Sequence, residues 1–177
     1  MRVSEDRYHR DRQRLQVAVR FLKHNARTQT IRTWTGLTEH RIRKLYGSYL
    51  QPITRVPRIR GKSPRQVAYF GRSLRVQQET AWLASLLSLL GVIPSEPKPE
   101  GGDALPSLAR GKLLCQAFDV YRAMIRPSQI SFEHAAFLAT TLARGERLRL
   151  GTCADCGSLM VTDPLSIRDK RCHHCAG

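Results

Sequence analysis

Four of the five cysteines fall in two C-x-x-C pairs, Cys153 with Cys156 and Cys172 with Cys175, and fifteen residues separate the pairs. This is the spacing of a structural zinc site. Each C-x-x-C turn aims two thiolates at one point, and two such turns complete a tetrahedron around the ion. Gly157, just after the first pair, suits the tight turn that this requires. Two other chemistries use the same residue types. A disulfide framework normally accompanies a secretory signal, and no stretch resembles one. A redox dithiol of the thioredoxin kind sits near the start of a βαβ unit and is not doubled. The expected cofactor is one structural Zn2+ per chain, held by Cys153, Cys156, Cys172 and Cys175. Four thiolates leave no open position for a substrate, so the site is expected to hold the fold rather than catalyse. His173 and His174 could substitute as ligands, but four thiolates already suffice, so they are expected to fill a solvent-facing loop or to hydrogen-bond a ligand sulfur. Cys115, alone in a helical stretch, reads as a small buried hydrophobe. The sequence has no H-E-x-x-H, no Walker loop, no paired carboxylate cluster and no open-site metal motif, which argues against an enzyme.

Charge is the second signal. The 177 residues carry 30 Lys and Arg against 14 Asp and Glu, a formal net charge of +16. Through Arg75 the count is 19 basic against 4 acidic residues; from Val76 onward it is 11 against 10. Clustering of this kind suits phosphate neutralisation and counterion release, and the arginine fork also matches guanine edges. A merely solvated basic surface is the plainer alternative. The most apolar run, Ala81 to Ile93, is too short to span a bilayer, so a cytoplasmic protein with reduced thiols and no membrane partner is expected.

The elements that must position these groups are helical. Leu15, Ala18, Val19, Leu22 and Ala26 form an amphipathic stripe on a first helix. Ile31 and Trp34 mark a short second helix, Gly36 supplies a turn, and Thr38 is the natural N-cap of a third, with Glu39 in its first turn. Ile42, Leu45 and Tyr49 are expected to face the core. This is a helix-turn-helix pattern, and it leaves His40, Arg41, Arg43 and Lys44 on the other faces of the third helix to meet bases or phosphates. Arg32 stands where such motifs usually keep a small residue, so it must turn outward. The Pro- and Gly-rich segment Pro52 to Pro64 reads as an extended arm, with Arg55, Arg58, Arg60, Lys62 and neighbouring Arg65 as further DNA contacts. Val67 to Leu90 reads as one long helix or two consecutive ones, capped by Gly91. Trp82, Leu83, Leu86, Leu87, Leu89 and Leu90 cover much of its circumference, which places it in the core or against a partner. Leu114, Ala117, Phe118, Tyr121 and Ile125 mark the next helix. Ser131 caps a last one carrying Phe132, Ala135, Ala136, Ala139 and Ala143, and Leu148 and Leu150 lead into the cysteines as a short strand.

The fold class expected is therefore mainly α: a helical bundle with a helix-turn-helix-like N-terminal segment and a small four-cysteine zinc region of short strands or knuckles. Three regions are expected: basic helices and arm over 1–65, a helical core and partner interface over 66–146, and the zinc region over 147–177.

With these parts in this order, the chain resembles FlhC, the C subunit of the bacterial flagellar master transcriptional regulator, from about Asp11 to Cys175. The resemblance is carried by LTEHRIRKLY (Leu37 to Tyr46), TAWLASLL (Thr80 to Leu87) and LGTCADCGSLMV (Leu150 to Val161) followed by CHHC. It implies an all-helical DNA-binding activator subunit with Cys153, Cys156, Cys172 and Cys175 as ligands of one structural zinc. It also implies partners: an FlhD-type subunit in a heterohexamer of four D and two C chains, double-stranded promoter DNA of class II flagellar operons, and RNA polymerase. Two departures matter. Only two residues follow Cys175, where members of that family carry a longer basic tail, and the N-terminal half is richer in arginine, so other targets are open. Two readings compete with the activator. One is a zinc-ribbon protein bound to RNA or the ribosome; the other is an assembly adaptor whose charge is incidental.

Overall fold

A computed structural model describes residues 2–50, 59, 61–94, 105–165, 171–172 and 174–175, with side chains from Arg7 onward. Among these residues the regular structure is six α-helices, a two-stranded hairpin and one short 3-10 helix, Val67–Gly71. The chain is mainly helical, as its periodicities predict.

Helix α1, Arg2–Lys23, buries Val17, Ala18, Phe21 and Leu22. Its end differs from the predicted stripe. Asn25 adopts φ 59°, and the Ala26 N–H returns to the Phe21 carbonyl at 2.9 Å while the Asn25 N–H reaches Leu22. This is a Schellman closure with Asn in the left-handed position. Ala26 is therefore buried after the helix rather than on it. Val17 and Phe21, absent from that stripe, are fully buried in its place.

Helix α2 spans Thr28–Thr35 and ends at Gly36, whose φ of 69° a side chain would resist. Helix α3, Glu39–Tyr49, starts at Thr38, whose side chain accepts from the Arg41 N–H. Ile42 is buried, but Tyr49 is 59% exposed and does not face the core. The chain leaves the α3 axis at Leu50, which takes the inward position instead. Arg32 is exposed, so its length does not hinder the packing of α2. α2 lacks a side-chain cap of its own; Glu133, 106 residues away, accepts from the Arg27 N–H at 2.8 Å and from the Thr30 hydroxyl at 2.9 Å. A carboxylate there also meets the positive end of the helix dipole.

The segment 67–90 is two elements. The 3-10 helix precedes Ser73, which caps α4, Leu74–Leu89, and Gly91 closes α4 in the left-handed conformation. Leu83 and Leu87 are buried, whereas Trp82 and Leu89 are 52% and 82% exposed, so α4 covers only part of its apolar circumference. Helices α5, Leu108–Met124, and α6, Phe132–Arg144, follow with serine caps at Ser107 and Ser131. Cys115 is buried in α5, and burial pushes its thiol up to about 12. Strands β1, Arg149–Thr152, and β2, Leu159–Thr162, pair antiparallel with Arg149 opposite Thr162, and β2 packs on α4.

One buried acid ties the second half together. Glu79 on α4 accepts from the Tyr121 hydroxyl of α5, from the Gln129 N–H at 2.7 Å before α6, and from Arg75 Nε at 3.0 Å. Burial pulls its carboxyl upward, but these donors outweigh that and leave it below the ordinary 4.5. Glu79→Ala is expected to cost about 3 kcal/mol, because three donors lose their acceptor. Since the folded-state pKa is depressed, Glu79's contribution is complete above the unfolded carboxylate range. It is lost as pH falls through the folded value. Thermal melts at neutral and acid pH should therefore converge between wild type and variant on acidification; parallel curves would remove Glu79 from this role.

Candidate metal centre and basic surface

The turn after β1 brings Cys153 and Cys156 to the second pair. The Gly157 N–H donates to the Cys153 carbonyl at 3.0 Å with Gly157 at φ 69°, and the Cys153 N–H donates to Ser158 O at 2.8 Å. The second turn closes similarly, Cys175 N–H to Cys172 O at 3.0 Å. The Cys172 N–H donates to Cys153 Sγ at 3.2 Å, stitching one turn to the other. All four sulfurs lie within 4.8 Å of one another. Zinc–sulfur bonds of about 2.3 Å require tetrahedron edges of about 3.8 Å, so a modest contraction would seat an ion. Cys156 and Cys172 approach to 3.5 Å, far outside a disulfide bond, and all four are free thiols.

The electrostatics suit a cation. Ser158 and the Cys175 N–H hold Cys172 down to about 5, and N–H groups of Cys156 and Cys172 lower Cys153. Cys175, hydrogen-bonded to the thiols of Cys156 and Cys172, is pushed up to about 12. Cys172 and Cys153 thus favour the thiolate while Cys175 holds its proton, a balance that a divalent ion among the sulfurs would shift toward thiolate. The donor set fits a metal ion such as zinc, and its four sulfurs fill a tetrahedral shell. His174 is directed to α4, within 3.3 Å of Gln78 Nε2; His173 lies outside the described residues. Between α4, the 3-10 helix and this module runs a groove of about 820 Å3, with Val67, Phe70, Trp82, Leu148, Met160 and Val161 among its lining residues.

The basic residues divide into three groups. On α3, His40 and Lys44 are exposed at the pole opposite buried Ile42 and have no hydrogen bond or ion pair among the described residues. Arg43 lies on a flank and meets Glu39 at 3.4 Å, an exposed pair of little strength. Arg41 is committed sideways: its Nη1 and Nη2 donate to Asp11 Oδ1 and Oδ2 at 2.9 and 2.7 Å, a bidentate bridge from α3 to α1. That hydrogen-bonded guanidinium holds the Asp11 carboxyl below its usual range. Lys62 and Arg65 are exposed on a segment anchored elsewhere, with Ser63 Oγ 3.2 Å from Thr30 and the Ile59 N–H on Asn25. This segment is therefore tied to α2 and to the turn after α1. Arg55, Arg58 and Arg60 lie outside the described residues.

A third group escaped sequence reasoning. Arg7, Arg10, Arg12 and Arg14 are exposed on α1 ahead of its first fully buried residue, Val17. The available signal was an apolar stripe that begins only at Leu15 while helix-compatible residues extend well before it.

Cys172→Ser is expected to abolish stoichiometric metal retention and to loosen the hairpin and groove while α1 to α3 stay folded. Metal analysis and amide exchange would check this; equal loss of protection in α2 and β2 would contradict it.

Compared with known proteins, the chain matches no family model and no curated protein.

Proposed function

We propose that this chain is a DNA-binding transcriptional activator subunit of the FlhC kind, and not an enzyme. The carrying observation is a three-residue turn, Gly36 to Thr38, that delivers a capped helix whose outer pole presents His40 and Lys44 within the polycationic half. With α2 before it, this is the order of a helix-turn-helix, with α3 as the helix that enters the major groove. Arg43 can leave Glu39 at small cost and read a base; Arg41 orients α3 through Asp11.

Zinc is the ion proposed for the four cysteines, one per chain, on the C-x2-C spacing and the all-thiolate donor set. It clasps the hairpin and reads no bases, because it lies in the half of the chain with little net charge. The protein acts in the cytoplasm, where these thiols stay reduced; among the described residues no helix is long and apolar enough to cross a membrane. An FlhD-type partner is supported by the exposed Leu74, Trp82 and Leu89 along α4, a stripe that a lone chain leaves in water. Class II flagellar promoters and RNA polymerase complete the reading, on the resemblance alone. Exposed Tyr8 and Tyr49 favour a second reading, single-stranded RNA stacked on aromatic rings.

Co-expression with an FlhD-type subunit, followed by binding to a class II promoter duplex, a scrambled duplex and single-stranded RNA, separates the two. Preference for the promoter supports the activator, equal affinity for all three removes it, and preference for RNA selects the second reading. Within the first reading, Arg43→Ala should weaken promoter binding by about 1–3 kcal/mol and relax specificity at one position. A uniform loss across sequences would make Arg43 a phosphate contact.

A further inference from the structure

Helix α3 has two flanks, and an acid holds an arginine on each. At 3.6 residues per turn, Arg41 and Arg43 stand about 100° to either side of buried Ile42, with His40 and Lys44 between them on the outer pole. The two pairs differ in geometry. Arg43 meets Glu39 of its own helix through a single contact of 3.4 Å, with the side chains 74% and 59% exposed. Water and salt screen such a pair, and a phosphate can replace its carboxylate. Arg41 meets Asp11 of α1 through two hydrogen bonds, 2.9 and 2.7 Å, with the side chains 45% and 36% exposed. Both ends of this bridge stand on anchored helices, α1 through buried Phe21 and α3 through buried Ile42. Its hydrogen bonds hold the Asp11 carboxyl below the usual range, with the charge of Arg14 adding to the effect, so Asp11 is ionised at neutral pH. A carboxylate seated in the guanidinium fork takes the place that a phosphate would occupy. Of the two arginines, Arg43 is therefore the easier to transfer to DNA.

We propose that Asp11 is a positioning residue for DNA recognition: it withholds Arg41 from the phosphate backbone, so that α3 meets the duplex through its outer pole and its Arg43 flank. The inference rests on the DNA-binding reading above and assigns a residue of α1 to it. An arginine on a phosphate adds affinity for every duplex and carries no sequence information. With Arg41 held by Asp11, a larger share of the affinity depends on base edges met by His40, Arg43 and Lys44. The same bridge fixes the rotation of α3 about its own axis, because its two ends lie on different helices.

The test measures binding of the full chain, with its co-expressed partner, to promoter and scrambled duplexes over a range of salt. Asp11→Asn should release Arg41. Both duplexes should then bind more tightly, the scrambled one by the larger factor, because the promoter also loses the fixed rotation of α3. The slope of log affinity against log salt should steepen by about 0.9, the contribution of one phosphate contact. Arg41→Gln alone should leave the slope as it is in the wild type. Added to Asp11→Asn, it should return the slope to that value, and Asp11→Glu, which can still bridge, should keep it. With wild type binding DNA, three results would each overturn the inference and leave the reading standing. A shallower slope in Arg41→Gln means that Arg41 leaves Asp11 for DNA. An unchanged slope in Asp11→Asn, even with a lowered Tm, reduces the bridge to a structural contact. A slope that stays steep in the double variant assigns the effect to the charge of Asp11 itself. A wild-type complex that binds no duplex overturns both.

Discussion

Phe21 is where four helices meet, and their arrangement depends on that contact. Its ring lies 5.8 Å from Trp34 of α2 and 4.8 Å from Phe132 of α6, edge-on to the latter. On α5 the facing residue is Gly111, where an added Cβ would come within 3.2 Å of Val17 and 3.6 Å of Phe21. The absence of a side chain there lets α5 approach α1 closely. His24 extends the cluster, stacked on Phe132 and edge-on to Phe118, and reaches Asp119 with Arg20. Burial pulls the His24 imidazole down, favouring the neutral ring, although Asp119 opposes this. Because the anchor sits late in α1, the helix is fixed at one end and its arginines project from the other.

Several acids of this basic protein hold one element against another. Glu133 closes the N-terminus of α2, Asp11 binds Arg41, Glu39 faces Arg43, and Glu79 gathers α4, α5 and the approach to α6. Each orients an element, while His40 and Lys44 stay exposed on the outer pole of α3. The net charge of +16 favours a polyanionic partner.

The cysteine module is joined to this frame rather than hung from it. Strand β2 lies on α4, and His174 approaches Gln78. One wall of the groove beside Trp82 is therefore built from the cysteine module. An ion held by the four sulfurs would therefore also steady the surface that packs on α4.

Much of this was legible in the sequence because it is local. The two C-x-x-C turns, the caps at Thr38 and Ser131, the closing Gly91 and the buried Cys115 each depend on a few neighbouring residues, and all are found as read. Helical periodicity likewise identified apolar arcs, but it does not say which part of an arc another element will cover. Tyr49 is exposed because Leu50 takes its inward place, and Trp82 and Leu89 remain in water on a helix whose other side is buried. The end of α1 turned on an Asn in a left-handed conformation, a choice that residue type permits but does not dictate. Tertiary structure alone decided that Arg41 belongs to Asp11, that Glu133 caps a helix 106 residues away, and that the arginines of α1 overhang. Those outcomes rest on contacts between distant segments, and in a single sequence distance along the chain hides proximity in space.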